Sequence, residues 1–259
     1  MTSLAHLSAA GLYLLAAASG TASFPSRRRL LHLLLGIAAG VHALGIYSLH
    51  LEDPAIPLES TPAALSLIGW LVATSYLLSL PLVRTFPVGL WVGCIGGVLT
   101  LCAALGFRIV TPAGPAATGA WPHAHVLLSA AGFALLGLSA LSGLAYLVKQ
   151  RGLKRKRASR FELPSLESLE RLEHGGLSLG FSMLTLGVLS GYGWVLSRGL
   201  DPWSSHASLL LVAWLVFLVP VTLRLLRGER GLRVSRTVVL GFGILAFCYL
   251  GGRLLGSFA

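Results

Sequence analysis

Charge is the scarcest property of this 259-residue sequence, because Asp, Glu, Lys and Arg together make up only 11% of it. Soluble globular domains are about one quarter charged, so this composition excludes an ordinary cytosolic domain. Hydrophobic residues make up 55% of the chain and the mean hydropathy is +0.79, which excludes intrinsic disorder. The sequence also contains long apolar runs, which indicate an integral membrane protein.

Cysteine and catalytic motifs are also scarce. The three cysteines, Cys94, Cys102 and Cys248, sit in apolar runs without a CxxC pair, which argues against thiol–disulfide exchange and a structural zinc site. We expect them to be free, buried and apolar in character. The sequence has no GxxxxGK[ST], GxSxG or HExxH motif, and it predicts a binding protein rather than an enzyme. All nine acidic residues are expected in loops, which disfavours an ion-coupled transporter.

Apolar runs near the length that a helix needs to cross a bilayer, roughly 20 residues, recur along the whole chain. They predict an all-α, polytopic bundle of about eight transmembrane helices, forming one integral membrane domain over residues 1–259. The predicted spans are Ala5–Phe24, Leu30–Leu49, Ala63–Val83, Val88–Phe107, Val126–Val148, Leu177–Leu196, Ala207–Leu223 and Val238–Leu255.

Basic residues fall almost entirely on one side of these spans. All but three of the 20 Lys and Arg residues occupy alternate loops, the exceptions being Arg108, Arg198 and Arg253. Basic loops stay in the cytoplasm, so both termini are predicted on the outer side. This placement explains the net charge of +11 without nucleic acid and leaves the lipid bilayer as the expected partner.

The predicted basic loop over residues 149–175 is longer than a turn. Its leucines Leu166, Leu169 and Leu172 recur about every three residues, which predicts a short amphipathic helix along the membrane surface. The basic run itself is either a topology anchor or a docking site for a partner or anionic lipid.

Histidine is the polar residue type that stands out. Neutral imidazole is a common axial ligand of haem iron, so outward-facing histidines make the chain a candidate haem-binding protein. The candidate ligands are His125, His42, His50, His123 and His206. His6 is also expected near the outer interface. His42 lies inside a predicted span, where it is either hydrogen-bonded or bound to a ligand, because an unpaired histidine is costly in hydrocarbon.

His125 opens the fifth predicted span, after Trp121-Pro122. Gly132 and Ser139 follow it at seven-residue steps, on one face of the helix. These small residues either leave space for a flat macrocycle or allow another helix to approach closely.

Five segments occur in a recognisable order: His125–Leu136, Leu163–Arg171, Gly180–Gly191, Ala213–Phe217 and Tyr249–Arg253. With this order and spacing, the chain resembles the cytochrome c assembly family of membrane proteins, with a core at about residues 62–257. That family includes CcsA-type haem-handling synthases and HemX-like and YpjD-type inner-membrane proteins. The length and number of spans look like those of the short HemX/YpjD-type members.

The resemblance implies that His125 is one axial ligand of an external haem, since synthase-type relatives hold haem between histidines that flank a tryptophan-rich segment. That segment is reduced here to Trp194 and Asp201-Pro-Trp203. An intramembrane histidine is replaced by Thr222 or its neighbours, and no histidine follows Tyr249. We therefore expect haem binding or presentation at the outer face of the cytoplasmic (inner) membrane, without covalent haem attachment by this chain alone.

Two partner classes follow from the resemblance. A haem-presenting protein is expected to work with other cytochrome c maturation proteins. The alternative is a haem-free, HemX-like scaffold or regulator that contacts haem-synthesis enzymes through residues 149–173.

Overall fold

The computed structural model describes residues 2–20, 25–52, 60–81, 86–107, 120–155, 163–199 and 205–256. All regular structure in these ranges is helical, which confirms the all-α prediction. The helices are α1 (Thr2–Ser19), α2 (Pro25–Glu52), α3 (Thr61–Ser79), α4 (Phe86–Gly106), α5 (Ala120–Lys154), α6 (Leu166–Ser197), α7 (Ser205–Val221) and α8 (Leu232–Gly256). Each of the eight predicted spans overlaps one of these helices.

Six helices are long and apolar enough to cross a membrane. They contain the segments Arg28–Leu49, Thr61–Ser79, Val88–Gly106, Pro122–Lys154, Leu166–Ser197 and Leu232–Tyr249. Two further apolar helical segments, Ser3–Ser19 and Leu211–Leu226, are shorter. The chain is a multi-pass membrane protein, as its hydropathy indicates. The side of the membrane that each terminus faces stays a prediction.

Helices α5 and α6 are longer than a membrane span requires, with 35 and 32 residues. At about 1.5 Å per residue each is roughly 50 Å long, against a hydrocarbon core of about 30 Å. The amphipathic segment expected around Leu166–Leu172 forms the first turns of α6. It is not a separate short helix, because the chain stays helical from Leu166 to Ser197.

Local chemistry sets several helix boundaries. Ser165 caps α6, because its hydroxyl accepts a hydrogen bond from the Ser168 amide at 3.1 Å. Ser60 caps α3 in the same way through the Ala63 amide. Pro220 lies inside α7, where it lacks the N–H needed for a helical bond, and a π-helical turn (Thr222–Leu226) follows directly.

The helices form two compact units. The N-terminal unit contains α1–α4, and the C-terminal unit contains α5–α8. Buried Tyr13 and Tyr76 are the largest core side chains of the first unit, and Phe217 is the largest of the second. The expectation that residues 1–259 form a single membrane domain stays a prediction.

The cysteines are free, as expected, but only Cys248 is buried. Cys94 and Cys102 are exposed on α4, so the prediction of burial is wrong for both. The apolar surroundings of a cysteine do not reveal which face of a membrane helix meets another helix, because both faces are apolar.

Candidate functional site

Helices α5 and α6 pack against each other through glycines. A Cβ added to Gly132 would lie 2.5 Å from the backbone nitrogen of Leu184, and one added to Gly180 would lie 2.8 Å from that of Leu136. Such contacts are too close for any larger residue. Contact positions ascend along α5 while they descend along α6, so the two helices are antiparallel.

This packing decides the role of the small residues that follow His125. Gly132 lies against the α6 backbone, and the buried Ser139 hydroxyl donates to the carbonyl oxygen of Glu173 at 2.7 Å. The interpretation that Gly132 and Ser139 leave space for a macrocycle is therefore wrong. They allow close helix contact, which is the usual role of small residues in membrane bundles.

His125 lies at the start of this α5–α6 contact and is half-buried. Its Nδ1 is 2.7 Å from the carbonyl oxygen of Gly187 on α6. A carbonyl oxygen only accepts, so Nδ1 carries the proton and donates. In the neutral ring, Nε2 then keeps its lone pair. Within the part of the chain that the structure describes, no hydrogen bond to Nε2 is found.

Two neighbours restrict the orientation of the His125 ring. The Ser129 hydroxyl lies 3.5 Å from Nδ1, on the next turn of α5. Gly191 approaches on the α6 side, where an added Cβ would lie 2.5 Å from Cε1 and 2.7 Å from Nδ1. The ring is therefore held by one hydrogen bond and by contact with a glycine, while Nε2 takes part in no hydrogen bond among the described residues. Metal-binding histidines are commonly oriented in this way, by a bond from the other ring nitrogen.

His42 has a different environment, in the N-terminal unit. It is fully buried, and its Nε2 lies 2.9 Å from the hydroxyl of Ser66 on α3. His6 on α1 is fully buried too, and its Nε2 lies 2.9 Å from the same hydroxyl. The two imidazole rings meet edge to face, with centroids 5.3 Å apart. The expectation that His6 lies at the outer interface did not anticipate this complete burial among helices.

The donors and acceptors in this cluster can be assigned from one bond. The Thr100 hydroxyl donates to the Gly96 carbonyl at 2.6 Å, so it can only accept from His42 Nδ1, which is 3.4 Å away. The other nitrogen of a neutral His42 then accepts from Ser66, and Ser66 accepts from His6. Both nitrogens of His42 are thus hydrogen-bonded, and iron ligation would require one of these bonds to break.

Among the other candidate histidines of the C-terminal unit, only His123 has a described side chain. His123 is half-buried on α5 and, two residues before His125, lies on a different face of the helix. His50 and His206 belong to α2 and α7, but their side chains lie outside the described residues. The identity of a second haem ligand therefore stays a prediction.

Glu173 is a buried acidic residue that the sequence interpretation missed. It lies inside α6 with 4% of its surface exposed, so the statement that every acid lies in a loop is wrong. Its Oε2 accepts from the Ser235 hydroxyl of α8 at 2.8 Å, while its buried Oε1 has no hydrogen-bonding partner in the described structure. The signal was available, because Glu173 follows Leu169 by four residues and shares its buried face.

Glu173 also borders a shallow depression in the C-terminal unit. The residues that line it are Glu170, Glu173, His174, Leu177, Arg224, Gly231 and Val234.

Among the described residues, no group of three or more His, Cys, Asp or Glu side chains is arranged to hold a metal ion.

Comparison with known proteins agrees with the sequence resemblance. The family model described as cytochrome C assembly protein matches residues 107–259. The chain is similar to the cytochrome c biogenesis protein CcsA of Synechococcus sp. (strain CC9605), with 27% identity over 264 residues, covering 90% of this chain and 86% of the relative. It is also similar to the CcsA proteins of Synechococcus sp. (strain CC9902), with 26% identity over 77% of this chain and 75% of the relative, and of Chlamydomonas reinhardtii, with 30% identity over 57% and 42%.

The matched segment contains all of α5–α8, including His125 and the α6 glycines that contact it. It starts at residue 107, later than the expected core at about residue 62. For the first four helices, the similarity to the family comes from the pairwise comparisons with CcsA proteins. Because the match covers more than half of the sequence, the chain belongs to the cytochrome c assembly protein family.

Proposed function

We propose that this protein assists cytochrome c maturation by binding haem and presenting it at the outer face of the cytoplasmic membrane. Family membership supports a role in cytochrome c maturation. The distribution of basic residues supports the outer face, because it predicts the first turns of α5 on the side opposite most Lys and Arg residues. The proposed role is that of a binding or accessory protein rather than an enzyme.

One observation carries the haem proposal, namely the geometry of His125. Its Nδ1–H donates to the Gly187 carbonyl, which leaves Nε2 as a neutral nitrogen donor with a fixed direction. Haem needs only one or two axial ligands from a protein, because the macrocycle supplies the four equatorial nitrogens. His125 fits one of these axial positions. His50, His123 and His206 remain the proposed sources of the other, together with His42 if its hydrogen bonds open.

The chain's own residues hold and orient haem in this proposal. When bound, haem is the group that is delivered to an apocytochrome, and the neutral imidazole of His125 would hold its iron. The contact with Gly187 stabilises that imidazole tautomer, as second-shell bonds do at metal sites. The reduced tryptophan-rich segment supports a presenting role, with thioether formation left to other maturation proteins.

The test is haem content. The full-length protein is purified in detergent with haem supplied, and haem per protein is measured by absorbance for the parent chain, His125→Ala and His174→Ala at equal expression. We expect His125→Ala to lose most bound haem, because an iron–imidazole bond is removed. His174 serves as the control, since it lies on α6 some 13 residues before Gly187, or about 20 Å by helical rise.

Two results would contradict the proposal. Full haem retention in His125→Ala, with loss in another histidine variant, would move the site elsewhere. A parent protein that stays colourless with haem supplied would replace haem presentation by the haem-free scaffold, which acts through the segment at residues 149–175. The structure places the two ends of this predicted loop in the last turns of α5 and the first turns of α6.

A further inference from the structure

The position of Gly191 is the least expected feature near His125. The three heavy atoms nearest to a Cβ added there all belong to the His125 ring: Cε1 at 2.5 Å, Nδ1 at 2.7 Å and Nε2 at 3.3 Å. Neither the α5 backbone nor any other side chain comes as close. A methyl group at residue 191 would therefore displace the imidazole before it displaced a helix.

Gly187 acts on the same ring through its carbonyl. The Gly187 oxygen lies 2.7 Å from His125 Nδ1 and accepts a hydrogen bond from the Nδ1–H group. In the neutral ring, the lone pair is then on Nε2. An N–H donor bonds in the plane of its ring, so this bond turns the Nδ1 edge of the imidazole toward α6, beside Gly191. The two glycines are four residues apart and share one face of the helix, so a single face of α6 sets both the tautomer and the orientation of His125.

We infer that Gly191 is a positioning residue for His125, and that the α6 face formed by Gly187 and Gly191 makes Nε2 the nitrogen that binds iron. The inference deepens the proposed haem function, and its statement about iron binding rests on that function. Its structural part concerns the imidazole of the apoprotein and holds without haem. Gly191 touches no ligand in this scheme and acts only through the His125 ring.

The chain offers a matched control for Gly191→Ala. A Cβ added to Gly175, on the same helix, meets no atom within 4 Å. Both substitutions add one methyl group and remove the same backbone freedom from α6, which favours the helix by about 0.5–1 kcal/mol in each case. A difference between the two variants therefore reports the contact with His125.

The first measurement uses the apoprotein. Full-length protein with ¹⁵N-labelled histidine is examined in detergent by NMR, and the His125 signals are identified by their loss in His125→Ala. We expect a protonated Nδ1 and an unprotonated Nε2 in the parent and in Gly175→Ala, and loss of this preference in Gly191→Ala. A protonated Nε2 in the neutral ring of the parent, or an unchanged tautomer in Gly191→Ala, would overturn the inference whether or not haem binds.

The second measurement separates positioning from packing. In haem-supplied protein, we expect Gly191→Ala to lose haem to the level of His125→Gly, while Gly175→Ala retains it. Added imidazole should restore the Soret absorbance of His125→Gly, and equally that of the double variant His125→Gly/Gly191→Ala, because a free imidazole is not tethered to α5 and can shift away from the added methyl group. Poorer rescue of the double variant would show that Gly191 acts on helix packing and would overturn the inference.

The two failures are distinguishable. If His125→Gly keeps its haem while the tautomer responds to Gly191→Ala, the proposed haem site is wrong and the positioning of His125 stands. If His125→Gly loses haem while Gly191→Ala retains it, the haem site stands and the positioning role is wrong.

Discussion

The two units of this protein use histidine in different ways. In the N-terminal unit, both nitrogens of His42 are hydrogen-bonded, and a single hydroxyl of Ser66 joins His42 to His6. In the C-terminal unit, the hydrogen bonds of His125 to described residues involve only Nδ1. Complete burial is therefore a poor guide to a metal-binding histidine. The state of the second ring nitrogen distinguishes a structural imidazole from a candidate ligand.

The difference follows from what each histidine has to connect. His6, His42, Ser66 and Thr100 come from four successive helices, so their hydrogen bonds join every helix of the N-terminal unit in an apolar interior. Polar bonds between membrane helices also satisfy groups that have no water to bind. His125 joins only α5 and α6, and the glycine contacts already hold these two helices together.

The largest effect that could break this comparison is a reversed orientation in the membrane. Reporter fusions after Lys154 and at the C-terminus should report opposite sides, the first cytoplasmic and the second outer, because all but three basic residues lie on the predicted cytoplasmic side. Signals from the same side would remove a span from the C-terminal unit. An outer signal at Lys154 would put His125 on the cytoplasmic side, where it could not present haem outwards.

Much of the fold was predictable from hydropathy, since a helix that crosses hydrocarbon needs an apolar run of fixed length. The faces of those helices were not predictable in the same way. Cys94 and Cys102 are exposed, although they lie in apolar runs like the buried Cys248. In a membrane protein both lipid and protein neighbours are apolar, so the periodicity that identifies a buried face in a soluble helix is weak.

Part of the candidate site was predictable as well. His125 was identified through the family resemblance, and the helix-packing alternative for Gly132 was correct. The contact between Gly191 and His125 was not foreseen, because it joins residues 66 positions apart in an antiparallel pair. Glu173 was missed because its charge suggested a loop, whereas its spacing from Leu169 and Leu177 places it on the buried stripe of α6.

The next prediction concerns Ser66, the shared hydroxyl of the N-terminal unit. Ser66→Ala should lower the free energy of unfolding by about 1–2 kcal/mol for each of the two histidine bonds that it removes. Haem content should stay at the parent level, because the substitution leaves His125 and its contacts with Gly187 and Gly191 unchanged. Thermal unfolding in detergent and absorbance measure the two properties.

Ser48→Ala is the matched control for Ser66→Ala. The Ser48 hydroxyl donates to the Gly45 carbonyl of its own helix, so its removal leaves no histidine unpaired and should change stability little. If Ser66→Ala removes haem as completely as His125→Ala does, the N-terminal histidines take part in binding and the contrast between the units fails.

The smallest expected effect is that of Thr100→Val, which keeps the shape of the side chain and removes its hydroxyl. Thr100 accepts from His42 Nδ1 across 3.4 Å, a longer and weaker bond than the two 2.9 Å bonds at Ser66. Its loss should cost less than about 1 kcal/mol, within the range measured for single hydrogen bonds between membrane helices. The assigned direction makes Nδ1 the protonated nitrogen of His42. In Thr100→Val the ring loses the acceptor of this proton, so histidine ¹⁵N signals should show a mixture of the Nδ1–H and Nε2–H tautomers.

A fully retained Nδ1–H tautomer would mean that Ser66 alone orients His42. A loss of stability as large as that of Ser66→Ala would reverse the order of the two bonds and make Thr100, rather than Ser66, the centre of the cluster.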